Sequence, residues 1–273
     1  MARIAANGVQ LNVEIDGEGP PLVLLHGFTG SAASWRAHSA VFGRKFKTLA
    51  IDLLGHGQSD SPADPARYRM ERCVADLTTL FDRLGLGRLN LLGYSLGGRV
   101  ALHLAASSSD RIGALVLESA SPGLAGQAER QARVASDEAL ANSIEQQGLE
   151  AFVEHWSSLP IFASQAALPE GARAGLRAQR LSNQPGGLAN SLRGLGAGVP
   201  SPLWDRLKDV PTPTLLVAGE LDPKYVGLAR AMAAALPAAR LGLIPGAGHA
   251  AHLEQPEVFD RLVLEFLAEH TFS

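Results

Sequence analysis

Three residues, Ser95, Asp222 and His249, are of the types and in the chain order that serine-based catalysis uses. A serine hydroxyl acts as a nucleophile or a base only when a histidine accepts its proton, and a carboxylate must hold that histidine in the correct tautomer. Ser95 lies in the pattern Gly93-Tyr94-Ser95-Leu96-Gly97, which is typical of a serine on a sharp turn between a strand and a helix. We interpret Ser95 as the centre of a catalytic site.

The glycines around this serine have a steric reason. Such a turn presses the residues two before and two after the serine together, where a Cβ would clash, and it holds the serine in an unfavourable backbone conformation. Gly93, Gly97 and Gly98 meet these requirements. An ordinary glycine-rich turn with an incidental serine is the alternative. The apolar stretch before the pattern and the helical periodicity after it favour the catalytic turn.

The acid and the base follow apolar runs that are predicted to be strands. Asp222 comes after residues 214–218, and His249 comes after residues 240–244. Because the carboxyl ends of parallel strands share one edge of a sheet, these loops are expected to meet at the site. Glu220 is an alternative acid but lies closer to the strand end. His252 is an alternative base but adjoins the next helix, where packing or capping is its simpler role.

A second turn, His26-Gly27-Phe28-Thr29-Gly30, follows another apolar run. Its small residues let the backbone N–H of Phe28 approach the serine, and with the N–H of Leu96 it would form an oxyanion hole with two donors. We interpret the side chain of His26 as structural, holding this turn. A phosphate-binding loop is not indicated, because neither glycine-rich phosphate motif is present at the required place.

The elements that must position these residues alternate along the chain. Apolar runs and helical patterns follow one another from residue 21 onwards, which predicts an α/β fold with a mostly parallel sheet and helices on both faces. The Asn7-Gly8 turn between two short arms predicts an antiparallel hairpin at one edge. Ser34 is expected to cap a helix that ends near Phe42.

The alternation stops between residues 122 and 207, where helical patterns are broken by prolines and glycines. We interpret residues 122–207 as a helical cap inserted into an α/β core that is formed by residues 1–121 and 208–273.

Length and composition limit the classes of protein to which this chain can belong. The chain of 273 residues is long enough for one large domain, and its formal charge of −3 indicates no surface for nucleic acid.

No segment resembles a signal peptide or a membrane span, so we expect a cytoplasmic protein without membrane insertion. The single cysteine, Cys73, excludes an intramolecular disulfide and fits a reducing compartment, and we expect it to be buried. The histidine spacing indicates no metal site, and we expect no cofactor.

The motifs around His26, Ser95, Asp222 and His249 resemble those of the α/β-hydrolase superfamily. Further stretches resemble the 2-succinyl-6-hydroxy-2,4-cyclohexadiene-1-carboxylate synthase family of menaquinone biosynthesis, and they include the predicted cap, which varies between members of the superfamily. These stretches are residues 52–60, 119–124, 129–133, Trp156 with 159–162, 180–183 and 187–194. One departure is Tyr225, where the resemblance leads us to expect phenylalanine.

The resemblance implies a lyase without a cofactor. Pyruvate would be eliminated from 2-succinyl-5-enolpyruvyl-6-hydroxy-3-cyclohexene-1-carboxylate, with Ser95 as a base that His249 and Asp222 activate. The oxyanion hole would receive the charge that builds on the succinyl carbonyl oxygen.

A substrate with three carboxylates needs cations, and the planar fork of arginine suits carboxylates well. The candidates are Arg99, Arg130, Arg133 and Arg180. The resemblance places Arg133 and Arg180 in the anion site with Tyr94 and Trp156, and Arg99 near it. The alternatives are that the cap arginines are solvated partners of nearby carboxylates and that Trp156 belongs to the core of the cap.

Two other functions remain open at this point. A serine hydrolase, either an esterase or a carbon–carbon bond hydrolase acting on an anionic small molecule, would use the same three catalytic residues. A catalytically inactive binding protein is disfavoured by the intact motifs. The sequence leaves the oligomeric state open, and it is compatible with a monomer.

Overall fold

The computed structural model describes residues 2–270, which form an eight-stranded sheet. Its strands are β1 Ala2–Ala6, β2 Val9–Asp16, β3 Pro21–Leu25, β4 Lys47–Ile51, β5 Leu89–Tyr94, β6 Ile112–Glu118, β7 Thr214–Gly219 and β8 Ala239–Ile244. The strands lie in the order β1-β2-β4-β3-β5-β6-β7-β8. The pairs β1–β2 and β2–β4 are antiparallel and the others are parallel. The predicted fold class and the predicted antiparallel edge are confirmed.

The central strands are apolar on both faces because helices cover both. In β6, which is buried along its whole length, Leu115 and Leu117 belong to one apolar cluster, while Ala114 and Val116 belong to the other. Side chains alternate between the faces of a strand, so a continuous apolar run is what a doubly covered strand requires.

Nine α-helices occur within residues 2–270: α1 Arg36–Phe42, α2 Met70–Arg83, α3 Leu96–Ser107, α4 Gln127–Ser157, α5 Glu170–Leu181, α6 Pro185–Leu195, α7 Pro223–Ala235, α8 Ala251–Glu254 and α9 Pro256–His270. Helices α2, α3 and α7 pack on one face of the sheet, and α1 and α9 pack on the other. Cys73 is buried in α2, and burial raises its pKa to about 12.

The prediction that Ser34 caps an α-helix is wrong. Ser34 lies inside a 3₁₀ helix, Ala32–Trp35, whose N-cap is Ser31, and α1 begins only at Arg36. The tighter turn forms where Trp35 is fully buried between the sheet and α9, and packing of that indole decides the local geometry.

Three of the helices, α4, α5 and α6, lie between β6 and β7 along the chain. Helices α4 and α6 share a small apolar core of their own, which includes Ile144, Phe152 and Leu188. Helix α4 is interrupted at Gly148, whose φ of 85° is outside the helical region. The division into a core and an inserted cap at residues 122 and 207 stays a proposal, which this arrangement supports.

Two buried histidines hold the turn after β3. His26 Nδ1 donates to the carbonyl of Gly27 at 2.8 Å, and the Leu53 N–H donates to His26 Nε2 at 3.0 Å. Because Nε2 accepts a hydrogen bond, the ring is neutral, and burial lowers its pKa. The ring of His56 lies 4.9 Å from that of His26, and burial lowers the pKa of His56 to about 3. These contacts agree with a structural role for His26.

We predict that His56 makes the protein less stable in acid. Its ordinary pKa is 6.5 and its folded pKa is about 3, so between these values the unfolded chain binds a proton that the folded chain does not. The stabilising contribution is therefore complete above pH 6.5 and is lost as the pH falls. In His56→Asn, the slope of unfolding free energy against pH should decrease by about 1.4 kcal/mol per pH unit between pH 6 and 4. Urea unfolding at several pH values measures this slope, and an unchanged slope would contradict the prediction.

Candidate active site

Ser95 sits at the junction of β5 and α3 in a strained conformation, with φ 51° and ψ −106°. A Cβ on Gly93 would collide with the carbonyl oxygen of Gly97, and a Cβ on Gly97 would collide with the carbonyl oxygen of Leu25. The steric requirement that the sequence predicted for these glycines is therefore met. The two close approaches force the chain to reverse direction at Ser95.

Ser95, His249 and Asp222 form a continuous chain of hydrogen-bonding distances. His249 Nε2 lies 3.2 Å from Ser95 Oγ, and His249 Nδ1 lies 2.8 Å from Asp222 Oδ2. The second oxygen of Asp222 accepts the Tyr225 N–H at 3.2 Å at the start of α7, which fixes the carboxylate. His249 and Asp222 are buried, whereas Ser95 is half-buried. The three residues predicted from chain order thus come together.

The two alternatives to this acid and base have no hydrogen bond to Ser95 within residues 2–270. Glu220 is exposed at the end of β7. His252 is buried, and both its backbone N–H and its Nδ1 are hydrogen-bonded to Glu118 Oε1, at 3.0 and 2.9 Å. His252 also packs against Trp35, with ring centroids 4.8 Å apart. Its contacts are those of a packing residue, as its position beside the next helix suggested.

The turn that carries Phe28 lies against the turn that carries Ser95. A Cβ on Gly27 would come within 2.6 Å of the Tyr94 ring, so only glycine allows this approach. Phe28 and Leu96 both line the cavity in front of Ser95. Leu96 is the first residue of α3, where backbone N–H groups have no acceptor within the helix. The oxyanion hole formed by their two N–H groups stays a prediction.

A cavity of about 740 Å³ separates the serine turn from helices α4, α5 and α6. Its lining includes the four cations Arg99, Arg133, Arg180 and Lys224. Among the described residues that line it, Asp137 is the only carboxylate. The charge balance of the lining favours an anionic ligand.

Two of these cations are buried without an anionic partner. Arg180 donates to Ser157 Oγ at 2.6 Å and lies over the ring of Phe162, while Arg99 donates to the carbonyl of Leu195 at 2.9 Å. Within residues 2–270, neither guanidinium has a carboxylate within 4.0 Å, and the Nε atom of each lacks a hydrogen-bond acceptor. Burial lowers the pKa of Arg180, and it lowers that of Arg99 to about 10.

The other two candidate arginines have different environments. The Arg133 side chain is 41% exposed, lines the cavity and donates from Nε to Asp137 Oδ1 at 2.8 Å. Arg130 does not line the cavity. Its Nη1 donates to the carbonyls of Leu124 and Ala125, so it fixes the chain that leads into α4.

Aromatic rings form one wall of the cavity. The Tyr94 ring lies 5.5 Å from that of His249, and burial raises the pKa of its hydroxyl. Trp156 stacks on Phe152 at 5.8 Å and also meets Phe28 at 5.2 Å, so it both lines the cavity and packs against the core of the cap. Its Nε1 is buried and has no acceptor within residues 2–270.

Sequence reasoning missed several contributors to this cavity. The Tyr225 ring lies 4.5 Å from the His249 ring, and the Phe162 ring lies 6.0 Å from it. Tyr225 was noted only as a departure from the expected phenylalanine, and Phe162 only as part of a matching stretch. The sequence feature that could have identified Tyr225 is its position three residues after Asp222, in the first turn of the helix that begins beside the site. No sequence pattern indicated that Lys224 and Gln165 line the cavity.

Two kinds of feature are not found between residues 2 and 270. No group of three or more histidine, cysteine, aspartate or glutamate side chains could hold a metal ion. In the same part of the chain, every helix is too short or too polar to cross a membrane.

The similarity of this chain to known proteins shows the family to which it belongs. The α/β-hydrolase fold family matches residues 20–256. A Serratia proteamaculans (strain 568) 2-succinyl-6-hydroxy-2,4-cyclohexadiene-1-carboxylate synthase is 31% identical, with 91% of this chain and 93% of that protein aligned. A Bacillus subtilis (strain 168) protein, provisionally given the same name, is 43% identical over 92% of both chains. The chain belongs to the 2-succinyl-6-hydroxy-2,4-cyclohexadiene-1-carboxylate synthase family of α/β-hydrolase-fold enzymes.

Solved structures agree on the fold. MenH from S. aureus superposes with a TM-score of 0.91 at 36% identity, covering 95% of this chain and 98% of that one. A thermophilic esterase from Thermogutta terrifontis, solved with malate bound, gives a TM-score of 0.87 at 28% identity, covering 98% and 97%. One fold thus carries both a family member and an esterase, so the fold alone does not select the reaction.

We predict that the serine turn tolerates no side chain at Gly97. Gly97→Ala should lower the free energy of unfolding by about 3 kcal/mol, because its methyl group would displace the backbone of β3. Gly175→Ala, in an open position of α5, is the matched control and should raise stability by about 0.5–1 kcal/mol. Urea unfolding of both variants provides the measurement. Equal stabilities would contradict the steric account.

Proposed function

We propose that this enzyme eliminates pyruvate from 2-succinyl-5-enolpyruvyl-6-hydroxy-3-cyclohexene-1-carboxylate to give 2-succinyl-6-hydroxy-2,4-cyclohexadiene-1-carboxylate in menaquinone biosynthesis. The observation that carries the proposal is the pair of buried guanidinium groups, Arg99 and Arg180, which face the same cavity as Ser95 and have no carboxylate partner in the described part of the chain. Unpaired buried cations lower stability, and a ligand with several carboxylates would compensate them. The names of the related proteins point to the same reaction.

In the proposed mechanism, Ser95 is a base. Asp222 keeps the proton of His249 on Nδ1, so Nε2 can accept the proton of the Ser95 hydroxyl at 3.2 Å. Ser95 Oγ then removes the proton from ring carbon C2, next to the succinyl carbonyl. The C–H electron pair forms the C2–C3 double bond, the former C3–C4 double bond moves to C4–C5, and the C5–O bond breaks. The enolate of pyruvate that leaves takes up one proton on carbon and becomes pyruvate, and His249 gives up the proton it took from Ser95, so the catalytic groups return to their starting state.

The oxyanion hole would stabilise this step. Charge develops on the succinyl carbonyl oxygen when C2 loses its proton, and hydrogen-bond donors aimed at that oxygen lower the barrier. We assign these donors to the backbone N–H groups of Phe28 and Leu96, which line the cavity beside Ser95. No covalent intermediate with Ser95 is required.

The substrate carboxylates would bind to arginine side chains. Arg99, Arg133 and Arg180 are three cations for three carboxylates, and guanidinium groups bind carboxylates through paired hydrogen bonds. Tyr94 and Trp156 would enclose the ring of the substrate. The predicted cytoplasmic location belongs to this proposal, and the oligomeric state remains open.

An esterase is the second candidate function. The hydrogen-bonded chain of Ser95, His249 and Asp222 would serve acyl transfer equally well, and the Thermogutta terrifontis esterase shares the fold. The two reactions differ in their products. Incubation with the enolpyruvyl substrate should release pyruvate and raise the ultraviolet absorbance of the conjugated diene. Fast hydrolysis of simple esters without pyruvate release would favour the esterase.

We predict that removal of the base abolishes most of the activity. Ser95→Ala and His249→Ala should each lower kcat for pyruvate release by about 10²- to 10⁴-fold, the usual contribution of a positioned base. Ser107→Ala is the matched control, because its hydroxyl donates to the carbonyls of His103 and Leu104 within α3. Near-normal turnover by Ser95→Ala would refute the assignment of the base.

We also predict that Arg180 serves binding at the expense of stability. Arg180→Met keeps much of the side-chain volume and removes a buried charge, so Tm should stay equal or rise. The same change should lower kcat/KM about ten- to hundredfold, because a charged hydrogen bond to the substrate is lost. Arg173→Met, on the exposed side of α5, is the control. Unchanged kcat/KM in Arg180→Met would remove Arg180 from the anion site.

A further inference from the structure

The cavity contains a carboxylate that an anion site should avoid. Asp137 in α4 is 3% exposed and lines the cavity together with four cations. Burial raises its pKa, so holding the ionised form there costs free energy. Its negative charge also repels an anionic substrate. A residue with both disadvantages requires a compensating role.

That role is visible in the contact with Arg133. Asp137 Oδ1 accepts a hydrogen bond from Arg133 Nε at 2.8 Å, and the two residues lie one turn apart on the same face of α4. The Arg133 side chain is 41% exposed. A long side chain with that exposure samples many rotamers unless a partner holds it.

Asp137 is itself held rigidly. Gly196, at the end of α6, lies so close that a Cβ there would collide with Asp137 Oδ2 and with the carbonyl of Leu192. Oδ2 has no hydrogen-bond donor within residues 2–270, so packing against α6 fixes the carboxylate. The orientation of Asp137 is therefore imposed by the contact between α4 and α6.

Within residues 2–270, the hydrogen bond to Asp137 uses Nε of Arg133 and leaves the outer edge of the guanidinium without a carboxylate. Arginine can bind a carboxylate through the Nε–Nη edge or through the outer edge that both Nη atoms form. Asp137 occupies Nε, so the outer edge of Arg133 is the one that can receive a ligand. We propose that Asp137 is a positioning residue that fixes Arg133 so that its outer edge binds a carboxylate of the substrate. This inference rests on the proposed function.

Two variants separate positioning from charge. Asp137→Asn and Asp137→Ala both remove the negative charge, but only asparagine keeps an Oδ1 acceptor for Arg133 Nε. We expect Asp137→Asn to stay within about threefold of the wild-type KM, and Asp137→Ala to have a KM about tenfold above that of Asp137→Asn, with kcat within about twofold. Should Asp137→Ala fail to fold, Asp137→Val fills the site without an acceptor.

A double-mutant cycle tests whether the effect passes through Arg133. In an Arg133→Met background, the Asn and Ala variants at position 137 should have the same KM, because the side chain to be positioned is absent. A gap that persists in this background, or no gap in the wild-type background, would overturn the proposal. Glu138→Gln is the matched control, since Glu138 pairs with Arg193 and does not line the cavity.

A second measurement separates this proposal from the proposed function. If the wild-type enzyme releases no pyruvate from the enolpyruvyl substrate, the proposed function fails. The same variants are then compared by calorimetric titration with propane-1,2,3-tricarboxylate, a simple tricarboxylate probe. A tenfold gap in Kd that disappears with Arg133→Met supports the positioning role, and equal Kd values or absence of binding overturn it.

Discussion

The close approach of three backbone segments at Ser95 is the constraint on which the site depends. Gly93, Gly97 and Leu25 come so near each other that no side chain fits between them, and Ser95 takes a φ of 51° as a result. Strain of this kind persists only where the surrounding structure over-determines it. Here β3, β5 and β6 supply that support, since the Ser95 N–H donates to the carbonyl of Glu118 at 2.9 Å. Ser95 therefore lies at the same edge of the sheet as His249 and Asp222.

The buried charges of the cavity lower stability, as the backbone strain at Ser95 does. Arg99 and Arg180 are buried without carboxylate partners in the described chain, and Asp137 is buried beside a half-exposed arginine. None of these arrangements is expected to stabilise the fold, because burial removes water from each charge and this costs free energy. Departures from the usual rules of burial concentrate where a ligand must bind. The same cavity is also lined by Ser95, whose backbone is strained.

The comparison with solved structures shows what the fold leaves undecided. The chain superposes on an esterase as well as on MenH, so the fold alone does not select the reaction. The arginines that the proposed elimination would use, Arg133 and Arg180, come from α4 and α5 between β6 and β7. One fold can carry different reactions because function depends on the site built on it.

The sequence by itself determined the features that depend on local patterns. The apolar runs 214–218 and 240–244 identified two strands to within one residue at each end, and the Asn7-Gly8 turn located the antiparallel edge. The glycines around Ser95 predicted the strained turn, because Gly93 and Gly97 lie two positions before and after the serine and approach each other closely. Chain order and the shared edge of parallel strands then indicated that Asp222 and His249 would meet Ser95.

Tertiary structure alone decided the features that depend on distant elements. It paired His252 with Glu118, directed Arg130 away from the cavity, and replaced the α-helical start at Ser34 with a 3₁₀ turn. It left Arg180 without a carboxylate within residues 2–270 and packed Asp137 against Gly196 at the end of α6. A residue's type and spacing do not specify its partner when that partner lies a hundred positions away. The packing of α4, α5 and α6 over the sheet decides which charges meet and which remain free for a ligand.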